Sequence, residues 1–234
     1  MLDIDIQYTW LLLFPPLVVA AFNWFFLTKR ANVAALTSTF SCLVTFVLSL
    51  ALLDKTGTDA FTWLSISSVF SIDLGFVLDP LSTRMMLVVT GIGLLVHIFS
   101  LGYMADDKAK TRYFACLSLF MFSMTGIVLA SNIAMTFIFW ELVGLSSYLL
   151  IGHWYTRSAA ADAAKKAFIC NRVGDFGFLI GILTLWALTN TLNFSLMEMP
   201  AGISETLLNI TVLCLFCGAV GKSAQFPLHV WLPD

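Results

Sequence analysis

Residues 136–152 read TFIFWELVGLSSYLLIG, a stretch apolar enough to lie in lipid that nevertheless carries a carboxylic acid, Glu141. An ionisable side chain at the centre of a membrane span costs about 2.5–3.5 kcal/mol or more, so it usually marks a functional site. At a helical rise of about 1.5 Å per residue, Glu141 lies roughly 12 Å deep. Two interpretations stay open: a functional acid, or a packing acid permanently paired with one base.

The composition extends this conclusion to the whole chain. Hydrophobic residues make up 59% of the 234 residues and charged residues only 11%, against about 45–50% and about 25% in soluble domains. The chain is therefore an integral membrane protein. Its net charge of −2 is too small to indicate a nucleic-acid partner.

Seven stretches have the length and apolarity of membrane-spanning helices. They are residues 8–28, 32–53, 81–104, 113–130, 133–153, 164–188 and 206–225. Pro15 and Pro16 are expected to kink the first helix or to delay its start. Two alternating segments, 61–69 and 71–78, predict a short outer β-hairpin. The sequence thus predicts an all-α polytopic fold with one hairpin.

The basic residues between spans predict the orientation. Eight of the twelve lie on one side: Lys29, Arg30, Lys108, Lys110, Arg112, Arg157, Lys165 and Lys166. The connections on the opposite side contain only Lys55. By the positive-inside rule, the N-terminus is outside.

Lys222 is the second candidate site residue, because it ends a long apolar run. A buried lysine can exchange its proton near neutral pH. The following residues, SAQFP, include Pro227 and predict a break in the seventh helix. Membrane proteins tolerate such breaks where they line protein or a water-filled cavity. The alternative is a lysine that extends to the headgroups at a helix end.

Five further residues are weaker candidates. Arg172 and Asp175 share a helix face and could be a structural ion pair or a relay with its tuning partner. Lys166 could extend to the headgroups. His97 and His229 could relay protons, or could be hydrogen-bonded packing residues.

The sequence contains no paired His/Cys metal spacing, phosphate-binding loop or nucleophile–base motif. Cys214-x-x-Cys217 lacks the context of a redox motif, so these cysteines are interpreted as small apolar residues. The residues alone therefore predict movement of protons or cations across a membrane.

Four motifs now identify a resemblance. They are FVLDPLS at 76–82, FWELVGLSSYLLIG at 139–152, KAFICNRVGDFGFLIGI at 166–182 and GAVGKSAQFPLHVWLPD at 218–234. Together they resemble the L subunit, or chain 5, of proton-pumping NADH:quinone oxidoreductase (respiratory complex I). This family is longer and contains a second repeat, so the sequence is expected to be a fragment or truncated product that does not pump alone.

The resemblance implies an antiporter-like fold, with N-terminal helices in residues 1–112 and a truncated proton-translocation repeat in residues 113–234. It implies that Glu141 and Lys222 are a coupled acid–base pair and that Asp175 tunes or supplies it. When Glu141 is neutralised or moves away, Lys222 would release its proton.

The resemblance makes His229, His97, Lys166 and Arg172 secondary proton-path candidates. It implies no cofactor in this chain, because flavin, iron–sulfur clusters and the quinone site belong to partner subunits. The expected partners are other membrane-arm subunits and the bilayer, in the cell inner (plasma) membrane.

Three alternatives remain open. The WEL and GKSAQFP motifs also occur in the large subunit of multi-subunit Na⁺/H⁺ antiporters. A related hydrogenase or plastid-type dehydrogenase complex would contain a similar membrane-arm subunit. The third alternative is a membrane scaffold whose charges have no present function.

Overall fold

The structure is a computed structural model that describes residues 9–66 and 70–234. The described part contains seven α-helices and one β-hairpin. The helices are α1 (Trp10–Phe26), α2 (Ala31–Ala51), α3 (Pro80–Tyr103), α4 (Lys110–Leu129), α5 (Ile133–Ile151), α6 (Ser158–Thr189) and α7 (Glu205–Lys222). Six of them are long and apolar enough to cross a membrane, and α1 is a shorter apolar helix of 17 residues. The predicted all-α polytopic fold is confirmed.

Each predicted span corresponds to one helix, and most ends agree within three residues. Helix α1 begins at Trp10 and continues through Pro15 and Pro16, so a start delayed by the prolines is wrong. Residue 8 of the first predicted span lies outside the described residues. Helix α6 begins at Ser158, before the predicted residue 164, and is 32 residues long.

Helix α6 is longer than a bilayer requires. A helix of 32 residues is about 48 Å long, whereas the hydrocarbon core is about 30 Å thick. The extra turns extend from the basic side of the protein, where the α1–α2, α3–α4 and α5–α6 connections lie. Lys165 and Lys166 are therefore inside this helix and not in a connection.

The predicted hairpin is present. Strands β1 (Gly57–Ile66) and β2 (Phe70–Leu78) pair antiparallel. Strand β1 begins before the predicted residue 61, and residues 67–69 of the first predicted strand lie outside the described part. The main-chain oxygen of Asp73 accepts a hydrogen bond from Asn132 Nδ2 at 2.6 Å. The Asp73 carboxylate accepts one from Asn193 Nδ2 at 3.0 Å, so the hairpin is held to both neighbouring connections.

Two helix starts follow from local sequence. Asp79 and Ser82 form a capping box at the start of α3, in which each side chain accepts a hydrogen bond from the other's main-chain N–H. Asn132 caps α5 through Met135 N at 2.8 Å. Helix α4 ends at Leu129, so the predicted short turn between the antiparallel α4 and α5 is confirmed.

Helices α6 and α7 pack with their backbones in direct contact. A Cβ atom added to Gly174 would lie 2.7 Å from Cys217 O, and one added to Gly181 would lie 2.6 Å from Leu215 N. Small residues of this kind let membrane helices approach closely. The close packing brings the polar side chains of α6 within reach of the end of α7.

Candidate functional site

Four charged side chains form a continuous series across α5, α6 and α7. Glu141 Oε2 of α5 forms an ion pair with Arg172 Nη1 of α6. The same Arg172 nitrogen is 3.8 Å from Asp175 Oδ2, and that oxygen is 3.7 Å from Lys222 Nζ of α7. We call Glu141, Arg172, Asp175 and Lys222 the charge chain. Acid and base alternate along it and its formal charges cancel, which makes its burial tolerable.

The charge chain is most deeply buried at its α6–α7 end. The exposed fraction of the side chain is 4% for Asp175 and 14% for Lys222, compared with 25% for Glu141. Glu141 Oε1, Asp175 Oδ2 and Lys222 Nζ have no hydrogen-bond partner among the described residues. Native proteins rarely leave buried polar atoms unsatisfied without a functional reason. These atoms can therefore accept or exchange a partner.

Trp140 holds the α6–α7 end in place. Its indole N–H donates to Asp175 Oδ1 at 2.7 Å, and Lys222 Nζ lies 5.9 Å from the centre of its ring. The sequence analysis did not identify Trp140. The available signal was its position beside Glu141, where an indole donor in an apolar helix needs a polar partner.

Gly144 provides space for the cations, one helical turn after Glu141. A Cβ atom added there would lie 2.7 Å from Lys222 Nζ and 3.8 Å from Arg172 Nη2. Both cations thus lie against α5 at this glycine. The missing side chain at Gly144 therefore leaves room for charged groups on the face of α5 that carries Glu141.

The ion pairs differ from the expected pairing in one respect. No ion pair among the described residues joins Glu141 directly to Lys222; Arg172 and Asp175 lie between them. Of the two open interpretations for Arg172 and Asp175, an ion pair formed only with each other does not account for all of their contacts. Each also contacts one end residue of the charge chain.

The predicted break after α7 is present. The helix ends at Lys222. Gln225 N donates to Val220 O at 2.9 Å, and Ala224 has a φ of +48°, which together close the helix end. Trp231 Nε1 also donates to Gly221 O at 3.1 Å. Lys222 is thus at the last helical position, where the residues after the helix satisfy the main-chain carbonyls of its final turn.

Three candidates lie away from the charge chain. His97 is completely buried in α3, where Nδ1 lies 2.7 Å from Gly93 O and Nε2 has no partner among the described residues. His229 is exposed beyond the break. Lys166 is 42% exposed and forms an ion pair with Asp234 at 2.6 Å.

A second polar cluster, which the sequence analysis missed, lies on the basic side. Burial raises the pKa of Asp107, but hydrogen bonds from Trp154 Nε1, Ala109 N and His153 outweigh this effect and hold the pKa below its usual range. Arg112 Nη2 donates to His153 O at 2.6 Å. The cluster ties the α3–α4 connection to the end of α5.

The described residues contain no group of three or more His, Cys, Asp or Glu side chains that could hold a metal ion.

The fold and the charge chain define a class: a multi-pass membrane protein with an antiporter-like fold. Consistent with this, the fold matches a chain in a structure of the Mrp complex from Dietzia sp. DQ12-45-1b with a TM-score of 0.83. The match covers 97% of this chain and 25% of that chain at 23% identity.

Sequence comparison narrows the class. Residues 130–234 match the family model described as NADH:quinone oxidoreductase/Mrp antiporter, TM, and residues 63–114 match that of NADH-ubiquinone oxidoreductase (complex I), chain 5 N-terminus. The chloroplastic NAD(P)H-quinone oxidoreductase subunit 5 of Zygnema circumcarinatum is 42% identical over 248 residues, covering 97% of this chain and 35% of the relative.

NAD(P)H-quinone oxidoreductase chain 5 of Synechocystis sp. is 50% identical over 179 residues, covering 74% of this chain and 26% of the relative. The chain belongs to the NADH:quinone oxidoreductase chain 5 family and corresponds to the N-terminal part of its members. It spans about a third of the length of the first of these relatives.

Proposed function

We propose that this chain is a proton-translocating membrane subunit of an NADH:quinone oxidoreductase. In this role it couples quinone reduction, carried out by partner subunits, to proton transfer across the membrane. The observation that carries the proposal is the charge chain, which crosses three helices and ends at a broken helix. Similarity to quinone oxidoreductase subunits supports the redox complex as the setting.

The proposed mechanism is an exchange of partners around Asp175. Arg172 and Lys222 lie at nearly equal distances, 3.8 and 3.7 Å, from the same Asp175 oxygen. While Glu141 is ionised, it holds Arg172, and Asp175 stabilises the Lys222 ammonium group. When Glu141 accepts a proton, Arg172 loses its main partner and moves towards Asp175.

This movement reduces the attraction between Asp175 and Lys222. A lysine without a counter-ion in a poorly hydrated site favours its neutral form. Lys222 then gives its proton to a carrier beyond the helix break. Glu141 and Lys222 thus act as the coupled acid–base pair through the two residues between them.

Proton pumping by the full-length chain in its assembled complex, in sealed vesicles, tests this proposal. We expect Glu141→Gln and Lys222→Ala each to lower the number of protons translocated per electron, with the complex still assembled. Lys165→Ala is the matched control, because Lys165 is 64% exposed and its ion pair within the described part of the chain is with the nearby Asp162. Pumping at the wild-type ratio in both site variants would refute the proposal.

A second candidate is a subunit of a Na⁺/H⁺ antiporter, favoured by the fold shared with the Mrp complex. The two functions predict different ion dependence. In the redox complex, proton uptake into vesicles requires electron donor and quinone. In an antiporter, an imposed Na⁺ gradient alone moves protons.

The setting is also proposed. The basic connections support an N-terminus outside, and the proposed location is the cell inner (plasma) membrane. The proposed partners are other membrane-arm subunits, and the flavin, iron–sulfur clusters and quinone site are proposed to lie on partner subunits of the complex. This chain contributes to the translocase without a redox site of its own.

A further inference from the structure

A basic cavity opens between α1 and α4 at the basic side of the membrane. Its volume is about 260 Å³, and Lys108, Arg112, Thr28, Thr111 and Trp24 line it. It thus combines two cations with the hydroxyl group of Thr28, because the Thr111 hydroxyl donates to Leu27 O at 3.3 Å. This set of donors suits a phosphate group.

An apolar groove continues from the cavity towards the middle of the membrane. It has a volume of about 180 Å³ and shares Trp24 with the cavity. Leu17, Ala21 and Phe25 of α1 and Leu119 of α4 are among its lining residues. From Leu17 to Phe26, α1 rises about 14 Å, which is about half of the roughly 30 Å hydrocarbon core. Cavity and groove together have the length of a lipid in one leaflet.

The cations of the cavity are available to an anion. No carboxylate of the described residues lies within 4.0 Å of Lys108 or Arg112. Arg112 donates to His153 O and stacks on Tyr155, and a guanidinium group has further N–H donors. The nearest acid in sequence, Asp107, accepts hydrogen bonds from Trp154, His153 and Ala109 of its own loop.

We propose that this site binds an anionic phospholipid of the leaflet on the basic side. The phosphate lies between Lys108 and Arg112, and one acyl chain lies in the groove between α1 and α4. Charge complementarity selects an anionic headgroup over a zwitterionic one, because basic pockets at helix ends attract anionic lipids. The proposal does not depend on the charge chain.

Photo-crosslinking tests the proposal on the full-length chain in its assembled complex. The complex is placed in nanodiscs of dioleoylphosphatidylcholine that contain a small fraction of phosphatidylglycerol or phosphatidylcholine with a diazirine on the acyl chain. Mass spectrometry then measures lipid attached to the α1 and α4 peptides. We expect at least about fivefold more labelling by phosphatidylglycerol, the factor given by one favourable surface charge.

Two variants address the two parts of the site. Lys108→Gln should lower phosphatidylglycerol labelling about fivefold, and Ala21→Trp should abolish it by filling the groove. Arg84→Gln, at the opposite end of α3, is the matched control and should leave labelling unchanged. Unlabelled phosphatidylglycerol should compete, whereas inorganic phosphate should not.

Several results would overturn the proposal. Equal labelling by the two lipids would show that Lys108 and Arg112 do not select an anionic headgroup. Labelling unaffected by Ala21→Trp, or competition by inorganic phosphate, would indicate a free anion site. Lipid label on a partner subunit and none on the α1 and α4 peptides would show that protein covers this face.

Discussion

At the residue scale, Asp175 is the central group of the charge chain. One of its oxygens accepts from Trp140 at 2.7 Å, while the other lies between the two cations at 3.7 and 3.8 Å. A single buried charge in a membrane is costly, but four alternating charges reduce that cost by pairing. The arrangement therefore allows a change in one ion pair to alter the next.

Gly144→Ala tests whether the position of Lys222 matters. The added methyl group would lie 2.7 Å from Lys222 Nζ and displace this flexible end. We expect a stability loss of about 1 kcal/mol, at the low end of the range for overpacking, and a lower proton-to-electron ratio in sealed vesicles. The matched control is Gly102→Ala, because an added Cβ there meets no atom within 4 Å. An unchanged proton-to-electron ratio in Gly144→Ala would contradict a role in pumping for the space that Gly144 leaves for Lys222.

The sequence predicted all four members of the charge chain but not their pairing. An ionisable residue in an apolar stretch is visible in the sequence, as Glu141 and Lys222 are. The pairing of Glu141 depends on the contact between α5 and α6. The pairing of Lys222 depends on the contact between α6 and α7, which Gly174 and Gly181 allow. The spacing of residues along the sequence does not predict how closely two helices approach each other.

At the element scale, the start of α3 depends on a local signal. Asp79 Oδ1 accepts from Ser82 N at 2.6 Å, and Ser82 Oγ accepts from Asp79 N at 2.8 Å. Asp79→Ala should destabilise the first turn of α3 by about 1 kcal/mol. Hydrogen exchange at the first amides of α3 should then be about fivefold faster, whereas Asp79→Asn, which preserves the acceptor, should change it little.

The same cap has a defined pH dependence. The hydrogen bond from Ser82 N is the largest influence on the pKa of Asp79 and lowers it below its usual value. A lowered pKa in the folded state gives stability that is fully present above about pH 4 and is lost as pH falls through the folded pKa. Asp79→Asn should lack this dependence, and equal pH dependence in both proteins would contradict it.

Element types were more predictable than their ends. The hairpin followed from alternation in the sequence, although β1 begins at Gly57, where the pattern is weak. Helix α6 begins at Ser158 because its first turns, rich in alanine, favour a helix beyond the membrane. Hydropathy identifies only the part of the α6 helix that lies in lipid. In α1, Pro15 and Pro16 do not end the helix. Membrane helices tolerate proline because neighbouring helices and side chains satisfy the main-chain groups that proline leaves unpaired.

At the scale of the whole molecule, the two ends of the bundle differ. On the side of the hairpin, Asp73 joins the hairpin to the α4–α5 turn and to the α6–α7 connection. On the basic side, Asp107 joins the α3–α4 connection to the end of α5. The charge chain lies between these two fixed ends, where side chains can change partners while the helices keep their positions.

The central claim is that the charge chain acts as one coupled unit, and a double-mutant cycle tests it most directly. The measurement is the number of protons translocated per electron by the assembled complex carrying Glu141→Gln, Lys222→Ala or both. If the two residues act through the same chain, the double variant should pump no worse than the poorer single variant. Losses that combine independently in the double variant, with assembly intact, would show two separate sites and contradict the account.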